Sequence, residues 1–138
     1  MSWLKVTYRI RAAPEDAGAV RVAPAFLLGK WFRLIGADAV IFPNFGGRFT
    51  WDERTCGDIA RNALAPWTHL RPALPVPGGG MSVERAREIV AFYGADVMLL
   101  IGGSLLGAPE RVQQRAQMFV AAVRDGAAAS VHASVVNP

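Results

Sequence analysis

The sequence predicts an α/β fold built on parallel strands, and three observations carry that prediction. From about Pro24 onward, short apolar runs alternate with stretches of helical periodicity. Each strand-to-helix connection carries a glycine group, at Gly46-Gly47, Gly78-Gly79-Gly80 and Gly102-Gly103. The run Val97 to Ile101 is apolar throughout, too short for a core helix and framed by Asp96 and Gly102, as expected of a strand buried on both faces.

Trp3 to Ile10 alternates, with Leu4, Val6, Tyr8 and Ile10 on one side and Lys5, Thr7 and Arg9 on the other. That predicts a half-buried strand of an antiparallel sheet. Ala12 to Val22 reads as a linker or a weak helix start, and an organisational boundary falls near Arg21. Phe26, Leu27, Trp31 and Leu34 recur at helical spacing, so a helix is expected over Ala25 to Ile35, with Lys30 and Arg33 outward and Gly36 as its stop. Ala39 to Phe42 is expected as a second two-sided strand, closed by Pro43 to Arg48. Thr50 and Glu53 have capping-box spacing, and the stripe Cys56, Ile59, Ala60, Ala63 predicts a helix to about Leu64. A short strand is expected around Ala73 to Val76. A helix capped by Ser82 follows over Val83 to Tyr93, with Ala86, Ile89, Val90 and Phe92 inward. After the Val97 strand, Pro109 to Arg124 is expected as a helix facing the core through Val112, Ala116, Phe119, Val120 and Val123, and ended by Asp125-Gly126. Residues 126–138 are expected to be a disordered tail.

At 138 residues and 52% apolar content the chain suffices for one domain with a core, yet falls short of the roughly 250 residues of an eight-stranded α/β barrel. Its net charge of +4 comes from basic residues scattered singly, without the basic-aromatic clusters of a nucleic-acid surface. Neither a signal peptide nor a membrane-spanning run of roughly 18 apolar residues is visible, so a soluble cytoplasmic protein without nucleic-acid or membrane partners is expected. Cys56 is the only cysteine, which rules out a disulfide framework and reads as a small buried residue.

The chemistry-bearing candidates are few. The turns at Gly78 to Gly80 and Gly102-Gly103 are either tight strand ends or a shared anion nest, whose amides approach a phosphate between strand and helix. The helices starting near Ser82 and Pro109 would then add the positive ends of their dipoles. Arg48 is either a surface cation or a mobile one that closes on a ligand. His69 and His132 lack the neighbours a metal site or a general base needs. No acidic dyad or Ser/His/Asp set can be argued, and Trp31 and Trp67 read as packing residues.

Three stretches give the sequence a family likeness: Phe26 to Arg48, containing Phe-Pro-Asn-Phe-Gly-Gly-Arg; Leu74 to Gly80, Leu-Pro-Val-Pro-Gly-Gly-Gly; and Leu100 to Pro109, beginning Leu-Ile-Gly-Gly-Ser. Together they resemble the last part of the barrel of the ribulose bisphosphate carboxylase (RuBisCO) large chain and its RuBisCO-like relatives. Trp3 to Ala12 is similar to the start of that family's N-terminal domain. The resemblance implies about three βα units of a TIM-type (β/α)8 barrel over residues 24–125, preceded by a remnant of the N-terminal α+β domain over 1–21.

It also implies a substrate-phosphate site at Gly78, Gly79, Gly80, Gly102 and Gly103, with Ser104 where carboxylases carry a third glycine. Arg48 falls at the position of their lid-loop lysine, and Ile41 at that of a sixth-strand histidine. Both departures favour a RuBisCO-like protein over a true carboxylase, since a guanidinium does not reproduce an ammonium. The family's carbamylated lysine, magnesium ligands and enolising base lie on earlier strands that have no counterpart here. The chain is therefore expected to be an internally truncated member that keeps a phosphate grip for a phosphorylated sugar or sugar acid. Its magnesium-dependent enolisation, isomerisation or decarboxylation would belong to the parent protein, and no cofactor is expected in this chain. A homo-oligomer is expected, because strand partners are missing. A fragment of a true carboxylase and a non-enzymatic assembly fragment remain the alternatives.

Overall fold

The computed structural model describes residues 22–48 and 51–136. The strand expected at Trp3 to Ile10, most of the linker after it, Thr50 and the last two residues lie outside them.

The first helix runs continuously through α1 (Pro24–Phe26), a π-helical turn (Leu27–Trp31) and α2 (Phe32–Leu34). Gly36 stops it as expected: its φ is +83°, and the Ala37 amide closes back onto the Phe32 carbonyl at 2.9 Å. The wider π turn shifts the buried face away from the expected stripe. Leu28 and Gly29 are buried, whereas Leu34 is 57% exposed and Phe26 42%. Arg33, expected outward, is only 3% exposed. Its guanidinium donates to the carbonyls of Asn62 (3.0 Å), Ala65 (2.8 Å), Leu70 (3.1 Å) and Arg71 (3.0 Å), capping the next helix and pinning the turn behind it. Trp67 lies over the same guanidinium at 5.8 Å, while Trp31 is 46% exposed and packs on Phe26.

β1 (Ala39–Pro43) and β2 (Leu74–Gly78) pair in parallel, with Ala39 opposite Leu74 and Pro43 opposite Gly78. Val40 and Phe42 of β1 enter the core, but Ile41 is 59% exposed, so this strand is buried on one face only. Between the strands, α3 (Glu53–Leu64) buries the expected stripe of Cys56, Ile59, Ala60 and Ala63. Its N-cap is Asp52, whose carboxylate accepts the Thr55 amide at 2.7 Å, rather than Thr50. α4 (Ala86–Tyr93) buries Ala86, Ile89 and Val90, and the Ser82 hydroxyl accepts the Arg85 amide just before it.

The third strand is reduced to a ladder running one way. Met98 and Leu100 donate to the carbonyls of Pro75 (3.0 Å) and Pro77 (3.2 Å), and one parallel bridge joins Gly78 to Leu100. Pro75 and Pro77 face this strand without an N–H to return, so the reciprocal bonds of a regular parallel pair cannot form there.

The chain then enters a short helix, α5 (Gly103–Leu106), before the 3₁₀ turn Pro109–Arg111 and the long α6 (Val112–Val136). The helix start nearest the last glycine turn is therefore that of α5, not one at Pro109. α6 runs through Asp125-Gly126 instead of ending there, and the tail expected from residue 126 is helical as far as Val136. Gly126 is a packing residue: a methyl group on it would lie 3.2 Å from Cβ of Val90 and 3.4 Å from Cα of Arg87, so its bareness lets α6 settle on α4. Of the core face expected on α6, Phe119 is buried and Ala116 and Val123 partly so; Val112 (39%) and Val120 (46%) are exposed.

Candidate functional site

Both parallel strands turn into glycine at the same end of the sheet, and the connections pack on each other there. After β1, Gly46 takes φ +66°; after β2, Gly79 and Gly80 take +91° and +64°. These left-handed values favour residues without a Cβ. The two turns also meet backbone to backbone: a methyl group on Gly80 would stand 2.6 Å from Cα of Gly47, and one on Gly47 would stand 3.1 Å from the Gly79 carbonyl carbon.

The turn after β2 and the start of α5 together line a cavity of about 470 Å³, walled by Gly79, Gly80, Met81, Ser82, Leu100, Gly102, Gly103 and Ser104. Five of the six sequence-predicted phosphate residues are thus brought together. Gly78 lies behind them, its carbonyl accepting the Asn44 amide at 2.8 Å and its Cα covered by Leu100. The Ser104 hydroxyl donates to the Met81 carbonyl at 2.9 Å and so ties the two walls together. Leu105 and Leu106 both donate to the Gly102 carbonyl, which places the amides of Gly103 and Ser104 in the opening turn, ahead of the helical ladder. Arg48 is exposed at the far end of the β1 connection and is not among the residues walling the cavity.

The wall carries no ionisable side chain. It can receive an anion through backbone dipoles and hydroxyls, but it supplies no acid or base. Just outside it, Glu84 is held below the usual carboxylate range, chiefly by the Ser82 hydroxyl. Arg115 donates to the Ser104 carbonyl at 3.1 Å. Among the described residues, no group of three or more His, Cys, Asp or Glu side chains gathers as a metal-ligand set. A larger groove of about 850 Å³ between α4 and α6 is crossed by the Arg87–Asp125 ion pair at 2.6 Å.

Two residues that shape the site escaped sequence reasoning. Asn44 is fully buried beneath the β1 connection, where its Oδ1 accepts the Tyr93 hydroxyl at 2.8 Å. Beside it the Cys56 thiol reaches the Pro43 carbonyl at 3.4 Å. Burial pushes both the Cys56 thiol and the Tyr93 phenol up from their ordinary values, so both stay neutral packing groups. Arg85 is the other: its guanidinium donates to the Phe45 carbonyl at 3.3 Å and to the Gly80 carbonyl at 3.2 Å, joining the two glycine connections. In the sequence its one visible partner is Glu88, three residues on. The partners 40 and 5 residues back leave no local signature.

No protein-family model matches the chain. It is 54% identical over 114 residues to ribulose bisphosphate carboxylase-like protein 1 of Rhodopseudomonas palustris, covering 83% of this chain and 31% of that protein. It is 53% identical over 116 residues to the 5-methylthioribulose-1-phosphate isomerase of Rhodospirillum rubrum, covering 84% and 31% respectively. The crystal structure of a Rubisco-like protein from Rhodopseudomonas palustris superposes with a TM-score of 0.67 at 43% identity, over 81% of this chain and 29% of that one. That likeness agrees with the α/β architecture. No helix among the described residues is long and apolar enough to cross a membrane. The chain belongs to the RuBisCO-like protein family, and it spans about three-tenths of the length of the relatives it matches.

Proposed function

We propose that the cavity between the two glycine turns grips one phosphate group of a phosphorylated sugar, and that residues 24–125 are a portion of a (β/α)8 barrel whose parent enzyme enolises or isomerises that sugar. The observation that carries this reading is the spare room at Gly102 and Gly103. Neither has a positive φ, and a methyl group on either would meet nothing within 4 Å. At Gly103, the first residue of α5, neither backbone conformation nor packing explains a glycine, whereas a ligand that must approach the backbone closely does. The amides of Gly79, Gly80, Gly102, Gly103 and Ser104 hold the anion, and the opening turn of α5 adds its dipole. A short helix after the last barrel strand serves phosphates in this way in many barrels. Arg48 acts as a lid-loop cation in the full protein. The Rhodospirillum rubrum relative, a 5-methylthioribulose-1-phosphate isomerase, supports the substrate class.

Magnesium chemistry belongs to the parent. The described residues offer no carboxylate cluster that fits the ion. This chain by itself binds without turnover, with a dissociation constant of roughly millimolar order because the metal and the second phosphate site of the parent do not share the binding. Amide NMR shifts during titration with inorganic phosphate and with a sugar phosphate test the site. Shifts centred on Gly79, Gly80, Gly102 and Gly103 are expected, and shifts spread evenly over the surface would overturn the reading.

A further inference from the structure

We infer that Arg85 is a positioning residue that couples the connection after β1 to the phosphate turn after β2, so that filling the cavity also sets the loop that carries Arg48. The inference rests on the phosphate reading above. Arg85 sits between the two connections: one Nη1 serves both the Phe45 and the Gly80 carbonyls, and the guanidinium lies 5.5 Å from the Phe45 ring centre. Glu88 accepts from its other face at 3.1 and 3.4 Å and aims the fork. The side chain is only 23% exposed.

Both ends of this bridge are stiff. Phe45 is 5% exposed and packs edge-on against Phe92 at 4.7 Å. A methyl group on Gly46 would stand 2.9 Å from Arg85 Nη2, so the guanidinium occupies the only space a side chain could take there. At the other end, a peptide unit is planar and trans, so a cation holding the Gly80 carbonyl also fixes the orientation of the Met81 amide. Met81 and Gly80 both wall the cavity. An anion that draws on the Gly80 turn is therefore felt at Phe45 and Gly46 by way of one shared side chain, in addition to the direct backbone contact of Gly80 on Gly47. None of the partners of Arg85 is a ligand-binding side chain, so its role is positioning and not direct contact.

The test follows Gly46 and Gly47 amides alongside those of Gly79, Gly80, Gly102 and Gly103 while inorganic phosphate is titrated at constant ionic strength. In the unaltered chain, Gly46 and Gly47 should shift with the same midpoint as the other four. In Arg85→Met, which keeps the stem on Phe45 and removes the donors, Gly102 and Gly103 should still respond, with a midpoint raised several-fold, while the Gly46 and Gly47 response falls to the part that the direct contact of Gly80 on Gly47 carries. Arg85→Lys offers one point donor in place of a fork and should leave a diminished response; it decides the matter if the Met variant does not fold. A response at Gly46 and Gly47 equal to that of the unaltered chain in either folded variant would overturn the coupling. So would a silent Gly46-Gly47 in the unaltered chain while the other four move. If none of the six glycines responds, the phosphate reading falls first and the coupling with it.

Discussion

Gly80 rests directly on Gly47, with no room for a single methyl group between them: one added to Gly80 would stand 2.6 Å from Cα of Gly47. Both atoms are backbone, so neither can swing aside, and Gly80 also holds a left-handed φ of +64°. Gly80→Ala should therefore cost about 2 kcal/mol or more, combining backbone strain with overpacking. Gly103→Ala, in open space at the first residue of α5, should leave stability nearly unchanged. If the cavity grips phosphate, the second substitution should still weaken that binding. Urea denaturation read beside a phosphate titration separates the two effects.

Arg33 should be among the most costly residues to replace. Arg33→Met would leave the carbonyls of Asn62, Ala65, Leu70 and Arg71 without the donor that now serves them, in a place only 3% exposed. A loss of about 3 kcal/mol is expected. Arg33→Lys should recover little of it, because one ammonium cannot reach acceptors spread around a planar fork. Thermal melts of both variants check this, and a Lys variant as stable as the unaltered chain would contradict it.

The start of α3 should weaken in acid. Asp52 is held below its ordinary value of 3.8 chiefly by its hydrogen bond with Thr55, so the carboxylate is favoured in the folded state. Its contribution is complete above the unfolded value and fades as pH falls through the lower folded one. Hydrogen exchange at the Thr55 amide should accelerate below about pH 4 relative to the expected intrinsic rate, and Asp52→Ala should abolish that pH dependence.

The chain should associate in solution. Ile41 on β1 and Met98 beside β2 are 59% and 52% exposed, and Leu100 and Leu106 add 46% and 72%. Apolar surface of this kind, beside a sheet of two strands, is a common seat of self-association. Light scattering over a dilution series should show a mass above that of one chain, and Ile41→Lys with Met98→Lys should lower it. A single-chain mass at every concentration would refute the expectation.

Much of the strand, turn and helix order after residue 24 was legible in the residues themselves. Period-two and period-3.6 patterns are local, and so is the demand of a tight turn for glycine: β1, α3, β2 and α4 lie close to their expected places, and Gly36 stops the first helix as its position implied. The twin glycine turns announced that the two loops are alike. That they wall one cavity depends on the parallel register of β1 and β2 and on the path through α5.

What escaped the sequence was long-range. Arg33 reads as a surface residue until α3 and the turn at Leu70 bring four carbonyls around it, and its burial follows from a π turn that no local pattern marked. Asp125-Gly126 reads as a helix stop until Val90 lies against it; with α4 packed there, a bare Cα gains contact instead of fraying the helix. The prolines of β2 were visible from the start, but only the placement of Met98 and Leu100 beside them showed which edge they deprive of donors. Arg85 could be assigned to Glu88 from spacing alone. Its grip on Phe45 and Gly80 exists because tertiary packing sets two glycine turns close enough for one guanidinium to reach both.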